Sequence, residues 1–336
     1  MKKTAKKRHP LLTFFLVLLI IVLIVAVAVL YAVAHYVGKL DHQERQATSV
    51  TETSGDTVRQ HYSTTESEDN AVTNILLIGV DNDYAPGMEE LGNADGLIIA
   101  SVNSRTKQVV LTSLMRDIRV QVPEKGRTKL TLTYHEGGVD ELINTIEYNF
   151  DIPIDNYALF NYIGLVQIID AVGGVTMDVT ADEIYWMDSK IDNLCKLTGQ
   201  SYDENKMTTD QAGTVTLNGI QTAAYLRIRY AGNNDFDRTE RARNVVLELK
   251  NKADQMSFSE LNSLVDTVFP CITTDLSTSD VMSLMVKYPL ILKYDMISDR
   301  VPIEGSYKLS NEGGNSYVEI DFDANREHLK ETIYGE

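Results

Sequence analysis

The chain has few of the residues that form disulfides, zinc centres or nucleophilic triads. Its 336 residues include two cysteines, six histidines and one tryptophan. Cys195 and Cys271 have no zinc-type spacing, and the scattered histidines form no serine–histidine–aspartate or cysteine–histidine set. His135 lies in a turn with two glycines at 134–138, but nothing else marks it as a catalyst. The chemistry of this chain must therefore be sought among carboxylates and guanidinium groups.

Positive charge is also scarce. The formal net charge is −17. Five basic residues precede position 9, and they are Lys2, Lys3, Lys6, Lys7 and Arg8. Without these five charges the formal value of −17 becomes −22 for the rest of the chain. Such an acidic domain repels nucleic acid, so the sequence predicts no nucleic-acid partner.

The long hydrophobic run is at the N-terminus, where residues 11–34 are apolar apart from Thr13. A helix needs about 20 such residues to cross a bilayer core. The basic residues before the run favour a cytoplasmic tail at 1–10, with the rest of the chain outside. A secretory signal peptide is the alternative, but its apolar core is usually only about 7–15 residues long. We therefore expect a single-pass transmembrane helix in the cell membrane and an extracellular domain.

Composition divides the remainder into three parts. Residues 35–71 are polar and predict an extracellular stalk. Residues 72–254 predict the main domain, with the polar segment 181–213 as an insertion or lid, and 255–336 predict a C-terminal extension packed on it.

Outside the membrane, Cys195 and Cys271 could form a disulfide that joins the insertion to the extension. Two free buried thiols are the alternative.

Hydrophobic patterning predicts an α/β fold, with a mixed central β-sheet and helices on both faces. The predicted strands are residues 74–80, 96–103, 108–115, 175–179, 296–303 and 317–322. The predicted helices are residues 139–150, 161–172, 241–253, 258–269, 279–294 and 324–334. Gly173 and Gly174 are expected to end the second of these helices.

Three charged residues stand at the ends of predicted strands. Asp81 follows the first strand, Asp95 precedes the second, and Arg116 follows the third. If the hairpin joining the second and third strands is symmetric, paired positions add up to 211, so Asp95 faces Arg116. Asp81 joins them if its strand runs in the direction of the third. The alternative is that each residue merely caps a buried strand.

Two carboxylates without histidine or cysteine partners suit Mg²⁺, which takes one or two acids together with phosphate oxygens. Asp81 and Asp95 are therefore the predicted metal ligands. Arginines beside them would neutralise a diphosphate during phosphoryl transfer. Because acids that share a site repel each other, we expect the fold to survive replacement of either one.

Basic residues also concentrate between 225 and 241. A strand at residues 225–230 would place Arg227 and Arg229 on one face. Asp237 and Glu240 resemble a capping box, which would put Arg238 and Arg241 in the first turns of a helix. An anion bound between the strand and the helix would explain cations at a helix N-terminus. A solvated surface with Asp–Arg pairs is the alternative.

These segments resemble the LytR–CpsA–Psr (LCP) family of cell-wall glycopolymer ligases. The resembling motifs are NILLIGVD at 74–81, Asp95, LTSLMRD at 111–117, Gly137-Gly138, IDAVGGV at 169–175, LNG at 217–219, YLRIR at 225–229, DFDRT at 235–239 and Arg241. The resemblance implies an LCP-type fold that moves teichoic acid, capsule or another polysaccharide from undecaprenyl pyrophosphate to peptidoglycan as a phosphodiester, in a magnesium-dependent reaction with a possible pyrophosphatase side activity.

The resemblance also implies residue roles. Asp81 and Asp95 match the metal and diphosphate site, and Arg116 matches the arginine needed for chemistry. The other implied residues are Arg227, Arg229 and Arg241 for pyrophosphate and Asp235 with Arg238 as a catalytic acid and base pair. The carrier lipid is expected between the sheet and the helices at 139–150 and 161–172.

The chain departs from the family pattern where arginines are usual, because it has Asp83 and Asn93 instead. Arg119 or Lys129 could compensate for the missing charges. A binding protein for wall polymer or lipid pyrophosphate, without catalysis, is therefore a second interpretation. A signalling membrane protein is a third, although the tail at 1–10 is too short to bind DNA as a domain.

Overall fold

The computed structural model describes residues 41–43, 71–81, 91–229, 231, 235–256, 260, 264, 267–277, 280, 283, 287, 290–291 and 293–335. Within these ranges no helix is long and apolar enough to cross a membrane. The predicted tail, transmembrane segment and most of the stalk lie outside the described residues, as does most of the two helices predicted at 258–269 and 279–294. The predicted domain boundaries remain predictions.

A mixed sheet organises the domain. The strands in chain order are β1 (Asp41–His42), β2 (Val72–Val80), β3 (Ala94–Asn103), β4 (Gln108–Leu114), β5 (Arg119–Val122), β6 (Gly126–Lys129), β7 (Asn156–Asn161), β8 (Val175–Val179), β9 (Gly213–Leu217), β10 (Thr273–Thr274), β11 (Asp295–Val301), β12 (Tyr307–Glu312) and β13 (Asn315–Ile320). The main sheet has the order β1-β10-β7-β2-β3-β4-β11, and three pairs stand apart: β5-β6, β8-β9 and β12-β13.

The register of the central hairpin agrees with the prediction. Strands β3 and β4 are antiparallel, with Ile98 opposite Ser113 and Asn103 opposite Gln108. Strand β2 is antiparallel to β3, so it runs in the direction of β4. Strand β7, which the sequence analysis missed, adds to β2 in parallel. Its apolar run, residues 157–160, is only four residues long and lies between two asparagines, so periodicity alone gives a weak signal for a strand.

Helices cover both faces of this sheet, which confirms the predicted architecture. The described helices are α1 (Leu130–Phe150), α2 (Tyr162–Ala171), α3 (Ala181–Thr198), the single turn α4 (Tyr202–Asn205), α5 (Gly219–Leu226), α6 (Asp235–Gln255) and α7 (Phe322–Tyr334). Leu76 and Ile78 of β2 pack in a core with residues of α1 and α7. Leu77, which points the other way, packs in a cluster with Val246 of α6.

A second core lies beside the sheet and is built by α2, α3, α5 and the β8-β9 pair. Segment 181–213 contributes much of it, because Ile184, Met187 and Ile191 of α3 are buried there. A capping box between Thr180 and Glu183 starts α3. The segment is therefore mostly helix packed into the domain, although its polar composition predicted an insertion or lid.

The sequence placed a strand at residues 225–230, and this prediction is wrong. Helix α5 ends at Leu226, and Arg227 is its C-cap residue. Asn218 and Gln221 form the capping box that starts the helix, and Ala223 and Ala224 continue it. The capping box predicted from residues 237 and 240 is also wrong, since α6 already begins at Asp235.

The predicted disulfide is wrong as well, because both cysteines are free. Helix α2 separates them: Cys195 is in the core formed with its inner face, whereas the Cys271 thiol donates to Gln167 Oε1 at 2.9 Å. Burial raises the pKa of both thiols. The two thiols therefore stay separate and protonated.

Close packing between α2 and α5 gives a first testable prediction. An added Cβ at Gly219 would collide with the backbone of Val166, with the Cα atom only 2.8 Å away. Gly219→Ala should lower the free energy of unfolding by roughly 2 kcal/mol, which exceeds the ~1 kcal/mol that alanine gains in a helix. Gly79→Ala is the control, because its Cβ would meet atoms at ordinary contact distances of 3.6 Å or more. Equal stability of the two variants in denaturant titrations would contradict this packing.

Candidate functional site

The candidate site lies where β2, β3 and β4 end at one edge of the sheet. Asp81 follows β2, Asp95 is the second residue of β3, and Arg116 comes two residues after β4. Gly79 pairs with Gly96 and Val80 pairs with Ala94, so Asp95 is the extra residue of a β-bulge. A bulge redirects the side chain it carries. The predicted meeting of Asp95 with Arg116 is confirmed, with Nη1 of the arginine 2.5 Å from Oδ1.

Three arginines surround the buried carboxylate of Asp95. Besides Arg116, Arg229 places Nη2 3.4 Å from Oδ2, and Arg238 places Nη1 3.7 Å from the same oxygen. Burial alone would raise the pKa of Asp95, but the charges of Arg116, Arg238 and Arg229 outweigh it and lower the pKa. One carboxylate therefore stays ionised among three guanidinium groups.

Packing of α6 against the sheet fixes Arg238. Ser113 of β4 donates from Oγ to the backbone oxygen of Thr239 at 3.3 Å. Arg238 itself is buried, with 7% of its side chain exposed, whereas 47% of the Arg229 side chain is exposed. Arg229 is thus the member of the group that solvent or a ligand reaches most readily. The side chain of Asp235, predicted to work with Arg238, lies outside the described part of the structure.

Asp81 is held by neutral donors. The backbone N–H of Asn93 donates to Asp81 Oδ1 at 2.5 Å, and the Asn93 side-chain amide lies 3.5 Å from Oδ2. No cation of the described chain forms an ion pair with Asp81. Arg119 and Lys129 do not supply one, because Arg119 pairs with Glu312 and Lys129 pairs with Asp117. Compensation for the missing charges by these two residues stays a prediction, since both already pair with carboxylates of the protein.

Arg227 approaches the site from the second core. Its guanidinium lies over the ring of Tyr162, 4.7 Å from the centroid, and Nη1 donates to Asn193 Oδ1 at 3.1 Å. Tyr162 directly follows Asn161, which pairs with Val80 at the parallel ends of β7 and β2. Burial and the charges of Asp95 and Asp81 raise the pKa of Tyr162, while Arg227 and Arg238 oppose this rise. The phenol therefore lies in the electrostatic field of the site.

Arg241, predicted to bind pyrophosphate, is buried and contacts other residues of the protein. Its Nη2 donates to the backbone oxygen of Ile228 at 2.7 Å, and Nη1 lies 3.4 Å from Glu183 Oε1. Only 5% of the side chain is exposed. Because Ile228 stands between Arg227 and Arg229, Arg241 fixes the backbone that carries both. Its predicted place near the site is right, but its contacts are with protein.

Sequence reasoning missed Tyr162 and Asn193. Tyr162 could have been found if the strand before it had been recognised, since residues at the ends of parallel strands meet at one edge. No sequence signal marked Asn193, because its contact with Arg227 depends on how α3 packs. Nδ1 of His135 donates to the backbone oxygen of Leu91. The structure gives it no contact with Asp81, Asp95 or the arginines among the described residues.

The arrangement is suited to binding a polyanion. Asp95 offsets one of three arginine charges, so this group has an excess of positive charge, and guanidinium groups form paired hydrogen bonds with phosphate oxygens. Within the described chain no three His, Cys, Asp or Glu residues form a metal cluster. A divalent ion here would therefore need ligand oxygens from a bound phosphate or water besides Asp81 and Asp95.

The charge balance around Asp95 gives the second prediction. The expectation that either acid can be removed harmlessly does not fit Asp95, because Asp95→Asn removes the charge that Arg116, Arg229 and Arg238 share, although Arg116 keeps Asp117. We expect a loss of roughly 3 kcal/mol in the free energy of unfolding at pH 7. Because the pKa of Asp95 is lowered in the folded protein, its ionised carboxylate stabilises the fold fully at pH values above the unfolded pKa of roughly 3.9. This stabilisation is lost as the pH falls through the folded pKa. Denaturant titrations from pH 7 to pH 3 should show the variant and the wild type converging below about pH 4. A constant difference across this range would contradict the assignment.

Comparisons with known proteins show which family the chain resembles in sequence. A model of the LytR_cpsA_psr family matches residues 36–333. The Enterococcus faecalis polyisoprenyl-teichoic acid–peptidoglycan teichoic acid transferase TagU is 32% identical over 217 residues, or 64% of this chain and 65% of that protein. Bacillus subtilis TagV, named for the same activity, is 27% identical over 264 residues, or 77% of this chain and 63% of that protein. The chain thus spans less than two thirds of the length of these two relatives.

Solved structures show the same fold. A structure described as LytR-CPS2A-psr family protein YwtF (TagT) with bound octaprenyl pyrophosphate lipid superposes with a TM-score of 0.60 at 20% identity. The superposition covers 87% of this chain and 100% of that chain. At this identity the likeness concerns the fold. The family match extends over most of the sequence, and the chain therefore belongs to the LytR_cpsA_psr family.

Proposed function

We propose that this protein is a phosphotransferase that attaches a secondary cell-wall glycopolymer to peptidoglycan. The donor is a teichoic acid, capsular or other polysaccharide on undecaprenyl pyrophosphate, and the product is a phosphodiester. Two relatives are named as transferases of teichoic acid from a polyisoprenyl carrier to peptidoglycan. One neighbour of the same fold has bound octaprenyl pyrophosphate. Pyrophosphate hydrolysis would be a side activity if water replaced the acceptor hydroxyl.

The observation that carries the proposal is the convergence of Arg116, Arg229 and Arg238 on Asp95. The three arginines come from the end of β4, the segment after α5 and the first turns of α6. Phosphoryl transfer requires positioning and stabilisation of charge rather than a protein nucleophile. Cations held in advance by a buried carboxylate meet this requirement without reorganising during the reaction. Such a group fits a pyrophosphate and its transferred phosphoryl group.

We further propose Mg²⁺ as the cofactor, with Asp81 as its main protein ligand and Asp95 beside it. Asp81 suits this role because neutral N–H groups hold its carboxylate, which leaves its charge available to a cation. The charge of Asp95 is largely neutralised by its ion pairs with arginines. When bound, the ion would neutralise charge on the pyrophosphate and favour departure of the lipid phosphate. Asp81 and Asp95 would hold the ion at the edge of the sheet where the strands end.

The location of the site is consistent with a lipid donor. We place the protein in the cell membrane, with its N-terminus in the cytoplasm and the domain outside, because of the basic residues and apolar run at 11–34. The polyprenyl chain would lie along the apolar faces of α1 and α2, next to the site that holds its pyrophosphate. Arg227, fixed over Tyr162 at the start of α2, would contact the pyrophosphate where the lipid enters.

A non-catalytic binding protein for lipid pyrophosphate is the second candidate. It is favoured by Asn93, which stands where the family resemblance would place an arginine. A neutral amide near Asp81 weakens the attraction for phosphate compared with a guanidinium group. The two candidates differ in one result, which is formation of a covalent bond to peptidoglycan.

The test is a transfer assay with the full-length protein in detergent. A synthetic undecaprenyl-pyrophosphate glycopolymer and a peptidoglycan oligomer are incubated with Mg²⁺, and products are separated by mass. We expect polymer joined to peptidoglycan, loss of product with EDTA, and recovery when Mg²⁺ is restored. Asp81→Asn should need a higher Mg²⁺ concentration. Tight binding of donor without product would favour the binding protein, and equal product with EDTA would contradict the metal assignment.

The arginines should contribute differently. Arg227 and Arg229 are expected to contact the pyrophosphate before and during the reaction, so alanine at either should weaken donor binding by about tenfold. Arg116, fixed beside Asp95, should act mainly as charge develops, so Arg116→Ala should lower the single-turnover rate by about 10²-fold with little change in donor affinity.

Arg127→Ala is a matched control for Arg229, since its side chain is 45% exposed and pairs with Glu319 rather than Asp95. Donor affinity from equilibrium binding and rates from single turnovers separate the two roles. Normal turnover with weakened binding in Arg116→Ala would overturn the assignment. Lysine at Arg116 or Arg227 should rescue only in part, because an ammonium group cannot bridge two oxygens.

A further inference from the structure

A second carboxylate lies at ion-pair distance from the other end of the Arg116 guanidinium, where the buried Nε forms no hydrogen bond with the described residues. While Nη1 of Arg116 contacts Asp95 at 2.5 Å, its Nε lies 3.6 Å from Oδ2 of Asp117. The other carboxylate oxygen of Asp117 contacts Nζ of Lys129 at 2.8 Å. The Arg116 and Asp117 side chains are only 13% and 14% exposed, so water screens this contact weakly. Arg116 is therefore held between two fixed carboxylates.

The backbone around Asp117 is fixed by two other elements. The backbone oxygen of Asp117 accepts from Val318 N of β13 at 2.9 Å, and Ile118 forms a bridge with the same residue. The backbone oxygen of Arg116 accepts from Thr131 N in the first turn of α1 at 3.0 Å. Asp117 is thus a rigid support, because both its main chain and its carboxylate have partners outside the loop.

Lys129 determines how strongly Asp117 attracts Arg116. The carboxylate is closer to Lys129 than to Arg116, at 2.8 Å against 3.6 Å. Asp117 can therefore orient the guanidinium without cancelling its charge, since much of its own charge is offset by Lys129. Lys129 in turn lies over the ring of Tyr317, 5.6 Å from the centroid, next to Arg119 at 4.7 Å. The C-terminal hairpin of β12 and β13 thus contacts both the backbone and the counter-ion of Asp117.

We propose that Asp117 is a positioning residue for Arg116, held by Lys129 and strand β13. The inference rests on the proposed function, because it assigns Arg116 to the transferred phosphoryl group. It also gives the C-terminal hairpin a part in the reaction, since this hairpin supports the residue that orients Arg116. Asp117 itself does not contact the substrate.

The kinetic test compares Asp117→Asn, Arg116→Ala and the double variant in the full-length protein. Asp117→Asn should lower the single-turnover rate about tenfold, as misplaced catalytic groups do, with donor affinity within about twofold of the wild type. In the Arg116→Ala background it should have no further effect, because both changes remove the same contribution. Asp151→Asn is the matched control, as it removes a carboxylate that contacts Lys330 at 2.6 Å. Its rate should equal that of the wild type.

A second measurement does not depend on activity. In protein with ¹⁵N-labelled arginine, the Arg116 Nε–H signal is assigned by its loss in Arg116→Lys. This signal should be rigid in the wild type and in Asp151→Asn, and mobile in Asp117→Asn. An equally rigid signal in Asp117→Asn, or an undiminished tenfold loss of rate in the Arg116→Ala background, would overturn the proposal. If the wild type transferred no polymer, the proposed function would fail, while the signal would still decide whether Asp117 positions Arg116.

Discussion

The site depends on one buried negative charge, the carboxylate of Asp95. Arg116, Arg229 and Arg238 would repel one another at this distance, and two of them are largely withdrawn from water. Asp95 makes their association favourable yet leaves an excess of positive charge for a ligand. Its position in turn requires the β-bulge at the start of β3, which turns the side chain towards the arginines. A change in strand register would therefore disrupt the whole group.

The second core supports the site because its residues position Arg227 and Arg241. Helix α3 provides Asn193, which contacts Arg227, and Glu183, which contacts Arg241. Arg241 holds the backbone of Ile228 between Arg227 and Arg229. Segment 181–213 therefore supports the site as well as packing beside it. This explains how arginines on an irregular segment can be held in place without the regular hydrogen bonds of a strand.

The parts of the site that sequence could predict depend on local rules. Strand direction and hairpin symmetry were enough to bring Asp95 opposite Arg116, since register follows from a short turn. The errors arose where tertiary packing decides. The alternation of arginines at 227 and 229 suggested a strand, although the residues before them form a capped helix. The contacts of Arg241 and the separation of the cysteines depend on how α2 and α3 pack, which periodicity does not reveal.

The two aspartates of the site have different bonding partners, which favours different functions for them. Asp95 is held by cations and organises them, so its charge is largely committed before a ligand binds. Asp81 receives hydrogen bonds from the Asn93 backbone and side chain, which orient its carboxylate without neutralising it. An arginine in place of Asn93 would compete with a metal ion for Asp81. If Asp81 is the metal ligand that we propose, the asparagine weakens the attraction for phosphate but leaves the Asp81 carboxylate without a competing cation.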